Sequence, residues 1–126
     1  MHEMALTRDA LDLIIAEGEK AGAERVCTVT LSIGYMRDIV EDIFEGLFAH
    51  LAKGTIVEGA ELNLVRTPAI VECQDCGGRY HLDVFDSSSF DCPRCSARNY
   101  RLISGMEFNI DNIGIVPKPE YRLKSA

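Results

Sequence analysis

Cys73-Gln74-Asp75-Cys76 and Cys92-Pro93-Arg94-Cys95 together read C-x2-C-x15-C-x2-C, and this spacing decides how residues 69–104 fold. Four thiolates surround a Zn(II) ion tetrahedrally, and each C-x-x-C turn puts two sulfurs on one side of the ion. Gly77 and Gly78 permit the tight backbone after the first pair, and Pro93 stiffens the second turn. Four protein ligands close the coordination sphere, so the zinc is expected to be structural rather than catalytic. Disulfides, a redox dithiol and an iron–sulfur cluster are the competing uses of four cysteines. The total is five, an odd number, and in a reducing compartment two such pairs point to metal.

Around the cysteines the texture is of short strands, at 69–72, 80–84 and 100–103, with a loop at Ser87-Ser88-Ser89. Outside them the periodicity changes. Leu6, Ala10, Leu11, Leu13 and Ile14 predict a helix over 4–21, stopped by Gly22, with Gly18 as an unfavourable interior residue. Cys27, Val29, Leu31 and Ile33 alternate with Thr28, Thr30 and Ser32, predicting a half-buried strand over 25–33 with Cys27 as a small buried hydrophobe.

Val40, Ile43, Phe44, Leu47, Phe48 and Leu51 predict a second helix over 38–53, with Asp38 as its N-cap and Gly54 as its stop. A strand follows over 60–66, ended by Thr67-Pro68. Met106, Phe108 and Ile110 alternate and then change parity at Asp111-Asn112 before Ile113 and Ile115, and the residues after Pro117 are polar.

The expected fold is α+β. A small antiparallel or mixed sheet with two helices occupies 1–68 and is completed by a returning strand within 105–117. A zinc-ribbon-like module is inserted at 69–104, and 118–126 form a flexible tail.

The formal charge of −7 and the lack of a Lys/Arg cluster exclude phosphate-driven nucleic-acid binding as the leading role. Apolar residues make up 47% and charged residues 26%, as in a globular protein rather than a disordered one. No apolar run approaches the ~20 residues that span a bilayer. The start, Met-His-Glu-Met-Ala, lacks the basic and apolar regions of a signal peptide, so the expected location is cytoplasmic. There is no G-x-x-x-x-G-K-[ST] loop, no G-x-S-x-G elbow and no H-E-x-x-H helix, so an enzyme is not expected.

Three histidines remain. His50 sits late in the second helix, where it suits the negative end of the dipole, and His81 lies on a strand of the cysteine module. His2 is different. The Met1 amine, the deprotonated His2 amide and the His2 imidazole form two fused chelate rings. Glu3 can supply a fourth donor by its amide or carboxylate. Planar nitrogen donors suit Ni(II) or Cu(II). On chemistry alone this competes with a histidine at a frayed chain end.

The chain resembles the HypA family, the nickel metallochaperones of NiFe hydrogenase maturation. The resemblance rests on Met1-His2-Glu3, Gly54-Thr55, Glu58-Gly59-Ala60, the two C-x-x-C pairs with Cys92-Pro93-Arg94-Cys95, and Ser104-Gly105-Met106-Glu107, in that order. It implies Ni(II) as transient cargo at Met1, His2 and Glu3, and structural Zn(II) on Cys73, Cys76, Cys92 and Cys95. It implies a HypB-type GTPase and the hydrogenase large subunit as partners, with urease as another recipient, and a monomer or weak homodimer. Neither nucleic acid nor membrane is implied as a partner. Where the family commonly reads Gly-Glu-Leu after the first strand, this chain reads Gly34-Tyr35-Met36. His81 is not assigned as a ligand. The rival reading is a zinc-ribbon interaction module without nickel.

Overall fold

The computed structural model describes residues 2–124, with side chains described for residues 3–121. In chain order the elements are α1 (His2–Lys20), β1 (Ala23–Gly34), α2 (Glu41–Ala52), β2 (Glu61–Thr67), β3 (Ile70–Cys73), β4 (Arg79–His81), a 3-10 turn (Ser87–Phe90), β5 (Tyr100–Ser104), β6 (Phe108–Pro117) and α3 (Pro119–Lys124). One sheet has the strand order β2-β1-β6 and the other β4-β3-β5, so the last strand does return beside the first. The α+β architecture is as expected. The chain divides into two compact units, the first Met1–Leu31, Ile39–Leu64 and Ile110–Ala126, the second Ser32–Asp38 and Val65–Asn109.

In the first unit α1 packs on α2. Ala10, Leu11 and Ile14 of α1, Phe44, Phe48 and Ala52 of α2, and Val26, Val29 and Leu31 of β1 are all buried. Phe44 and Phe48, one turn apart, stack with ring centroids 6.4 Å apart. Gly18 is explained by close approach: a Cβ there would lie 3.0 Å from Val26 Cγ2 and 3.1 Å from Ile56 Cδ1. The helix accepts a poor former because the neighbouring segment leaves no room for a side chain. Gly22 ends α1 in the left-handed region, as its position predicts.

Four local expectations are corrected. Val26 is buried and Cys27 only half-buried, so the inward alternation of β1 begins at Val29. The Val26 N–H donates to the Ile56 carbonyl at 2.8 Å, which ties this end of the strand to a loop and sets its parity. Val40, not Asp38, is the N-cap of α2, with no side-chain cap. Glu3 Oε1 instead accepts the Val40 N–H at 3.3 Å, an acceptor supplied from a distant part of the chain. The apolar stripe of α2 is narrower than its sequence implies, with Ile43 51% exposed. Residues 119–124, expected in a loose tail, form α3, which opens with Pro119 at the position where proline's fixed φ suits a helix.

In the second unit β3 is the central strand of its sheet, pairing antiparallel with β4 and β5. Glu72 lies opposite Arg79 on one side and Arg101 on the other. It pairs with them at 3.3 and 3.2 Å. The Arg79 hydrogen bond and the Arg101 charge hold its carboxyl below the ordinary range. Ala69, Val71 and Leu82 form the buried cluster, with Tyr80, Val84, Phe90 and Tyr100 packed on it.

Gly34 is a point of contact between backbones in this unit. Its N–H donates to the Glu107 carbonyl, and the Met36 N–H donates to the Gly105 carbonyl, both at 2.8 Å. A Cβ at Gly34 would lie 1.9 Å from Gly105 O and 2.6 Å from Met106 N, neither of which can swing away as a side chain would. Gly34→Ala is therefore expected to cost about 3 kcal/mol or more, the upper end for overpacking. Thermal unfolding of the metal-loaded protein checks this, and an unchanged midpoint would show the two backbones to be easily parted.

Glu107 is bound by the Gly105 N–H and by the Thr67 hydroxyl, the latter at 3.0 Å. The Gly105 N–H chiefly holds its carboxyl below the ordinary value of 4.5. A depressed folded-state pKa means that this group stabilises the fold fully above its ordinary value and loses the contribution as pH falls through the lowered one. Glu107→Gln should cost about 1–2 kcal/mol near neutrality, from the lost charge-assisted bonds. The gap from the parent should narrow once pH falls below the ordinary carboxylate value and close below the lowered one, as urea denaturation at several pH values would show.

Candidate metal centre

The end of β3 delivers Cys73, and the turn after it returns the chain into β4. The Gly77 N–H donates to the Cys73 carbonyl and the Cys73 N–H to the Gly78 carbonyl, both at 2.8 Å. The second pair repeats this closely. The Ser96 N–H donates to the Cys92 carbonyl and the Cys92 N–H to the Ala97 carbonyl, again at 2.8 Å. Each loop needs a left-handed residue four positions after its first cysteine, and these are Gly77 at φ 77° and Ser96 at φ 62°. Sequence reasoning found Gly77 but missed Ser96. Its signal was its equivalence of spacing to Gly77, since serine itself is not a turn marker for that conformation.

These turns bring the four sulfurs together, all within 4.8 Å of one another. Cys73 Sγ lies 3.5 Å from Cys95 Sγ, and Cys76 Sγ lies 3.6 Å from Cys92 Sγ. A Zn–S bond of ~2.3 Å gives a tetrahedron with edges of about 3.8 Å, so the cluster already has nearly the span of four thiolates around one ion. Cys73 and Cys92 are buried and Cys95 is exposed. One side of the ion would face the small core and the other solvent.

Backbone N–H groups around the sulfurs tune them for metal. The Arg94 N–H, with that of Cys95, lowers the Cys92 thiol to about 7 against the cost of burial. The Ala97 N–H favours the Cys95 thiolate too. The neighbouring sulfur of Cys73, burial, and the sulfurs of Cys76 and Cys92 outweigh it and push that thiol up to about 12. Four thiolates this close repel one another. A divalent ion removes that repulsion and displaces the protons.

The surroundings support the loops. The Tyr80 hydroxyl donates to the Phe90 carbonyl at 2.9 Å, and its ring meets Tyr100 edge-on at 6.4 Å. Burial, then the Cys92 and Cys73 charges, raise the Tyr80 pKa and keep it a donor. Arg98 pairs with Asp91 at 2.8 Å beside the second loop. The Gln74 N–H donates to the Asn99 carbonyl at 2.7 Å, tying the first loop to the strand that follows the second.

A family model described as hydrogenase/urease nickel incorporation, metallochaperone, hypA matches residues 1–115. The chain belongs to the HypA family. The HypA hydrogenase maturation factor of Dehalococcoides mccartyi strain CBDB1 is 36% identical over 115 residues, covering 91% of this chain and 94% of that one. That of Geobacter metallireducens is 34% identical over 116 residues, covering 91% and 99%. The solution structure of the Ni metallochaperone HypA from Helicobacter pylori shares the fold, with a TM-score of 0.67 at 19% identity over 92% of this chain and 98% of that one. HypA proteins are maturation factors rather than enzymes, and the chain is a nickel metallochaperone of hydrogenase maturation by family.

Among the described residues, the four cysteines are the group that could hold a metal ion. Met1 and the His2 side chain fall outside the described residues, while the His2 backbone opens α1. Glu3 lies in the first turn of that helix. Its own N–H, then that of Val40, hold its carboxyl below the ordinary range, so it is an anion near the start of the chain. His50 and His81 are exposed. Among the described residues, no helix is long and apolar enough to cross a membrane.

Proposed function

We propose that this HypA-family chain carries Ni(II) on Met1, His2 and Glu3 and passes it on during NiFe hydrogenase maturation, with Zn(II) on Cys73, Cys76, Cys92 and Cys95 as scaffold. The observation that carries the reading is the family match, which runs from residue 1 and so includes Met-His-Glu. The start of α1 at His2 adds support, because the first N–H groups of a helix have no acceptor within it. An amide there can lose its proton to a metal without breaking a helical hydrogen bond. Glu3 supplies a negative charge beside it.

The four cysteines fit zinc in ligand type and spacing. Zinc there supplies folding energy to a unit with a small buried cluster of Ala69, Val71 and Leu82, and offers no open coordination position. Selectivity for nickel rests on planar nitrogen donors, since raw affinity would favour copper. Release is favoured by the site's position at a chain end, where a partner can displace donors with little reorganisation. A HypB-type GTPase and the hydrogenase large subunit are the partners this reading names, and urease is a further recipient.

The test compares nickel binding by protein with an authentic Met1 and by a version extended by two residues. Extension retains the imidazole and removes the Met1 amine from its place. The reading expects one-to-one binding in the first and at least tenfold weaker binding, with a changed nickel absorption spectrum, in the second. Equal affinity and an identical spectrum would overturn the chelate.

A further inference from the structure

Phe85 is 89% exposed, more than any other large hydrophobic residue described. It borders a groove of ≈ 430 Å³ in the second unit, lined also by Tyr35, His81, Leu82, Asp83 and Val84. None of the four cysteines lines it. Tyr35 forms one wall, with the Arg66 guanidinium 5.0 Å from its ring centroid.

The loop that displays the phenyl ring is tightly held. Asp83 Oδ1 accepts the Phe85 N–H at 3.0 Å, and the Asp86 N–H donates to the Asp83 carbonyl at 3.0 Å. Ser89 Oγ accepts the Asp83 N–H at 2.8 Å and lies 2.7 Å from the Asp86 carbonyl. Asp86 Oδ1 accepts the Ser88 N–H at 3.0 Å and its hydroxyl at 2.6 Å. A loop whose backbone is held by this many bonds presents the ring with little backbone ordering cost left for a binding event. Aromatic anchors of this kind dominate interfaces.

The rim decides the occupant. Residues 80–92 hold Asp83, Asp86 and Asp91 and neither Lys nor Arg. Asp91 is matched by Arg98. Asp83 lines the groove and Asp86 follows Phe85 in the sequence, on a chain whose net charge is −7. A basic segment is attracted and an acidic one repelled.

We infer that the Phe85 groove docks an extended segment of a partner protein in which an apolar side chain is flanked by Lys or Arg. The apolar side chain packs between Phe85 and Tyr35, and the cations meet Asp83 and Asp86. This does not depend on nickel binding at Met1–His2.

The probe is an octapeptide of alternating lysine and leucine, titrated into the isotope-labelled, zinc-loaded full chain and followed by amide NMR. Control peptides alternate glutamate with leucine, and lysine with serine. The expected result is saturable shifts at Tyr35 and residues 81–86 with the Lys/Leu peptide, and at least tenfold weaker binding of both controls. Phe85→Ala should weaken binding at least tenfold while leaving zinc content and the thermal midpoint unchanged. Asp83→Asn and Asp86→Asn keep an acceptor for the turn, and should weaken binding several-fold at low salt and less at high salt. Equal binding of the Glu/Leu peptide, shifts centred elsewhere, no binding, or Phe85→Ala binding as the parent does would each overturn the inference. Phe85-dependent dimerisation in sedimentation, without peptide binding, would also overturn it, by making a second copy the occupant.

Discussion

Removing the metal from Cys73, Cys76, Cys92 and Cys95 is expected to unfold the second unit while the helices of the first persist. Apparent binding energies for structural zinc in small modules are about 10–16 kcal/mol, and in such modules binding and folding are one event. The second unit has little to put in its place. Its buried cluster of Ala69, Val71 and Leu82 is small, and its strands are short, with β4 only Arg79–His81. The first unit has a separate core around Phe44, Phe48 and Ile14.

Cys73→Ala should therefore abolish stoichiometric zinc retention, measured with a colorimetric chelator. It should also remove the near-ultraviolet circular dichroism of Tyr80 and Tyr100, which pack beside the site. The far-ultraviolet helical signal should remain. Loss of both signals together would show that the first unit cannot fold without the second, and retention of both would show that the metal is dispensable.

The second large effect concerns His2. His2→Ala is expected to weaken Ni(II) binding by at least about 100-fold, because it removes a proposed ligand outright and even outer-shell changes cost about 10–100-fold. Zinc content should not change. Calorimetric titration together with the nickel absorption spectrum separates the two metals. Nickel affinity should also fall as pH falls. The amine, the imidazole and the amide must all be proton-free to bind, and the first two ordinarily titrate near 8 and 6.5. Undiminished nickel binding by the variant would move the cargo site elsewhere, and a pH-independent affinity would exclude deprotonated nitrogen donors.

Much of the candidate site was legible in the sequence because its ligands are local. Two residues separate the cysteines within each pair, so each turn positions two sulfurs whatever the rest of the fold does. The proposed chelate at Met1–His2 is local for the same reason, being built from adjacent residues. The first two helices, the main strands and the returning β6 were legible from periodicity, which records which face of an element meets the core.

What the sequence could not settle depended on segments far apart in the chain. The parity of β1 is set where Val26 meets Ile56, so Cys27 is only half-buried. The start of α2 is set by Glu3 reaching Val40, although Asp38 is the better capping residue by type. Gly18 and Gly34 looked like a weak helix position and an ordinary strand end. Only the approach of Val26, Ile56 and the Gly105 backbone makes them necessary. The same holds for the exposure of Phe85, which no local pattern in the sequence marks. Hydrophobicity along a chain tells how strongly a residue would gain from burial. Whether a surface arrives to bury it is decided by tertiary structure, and at Phe85 none does.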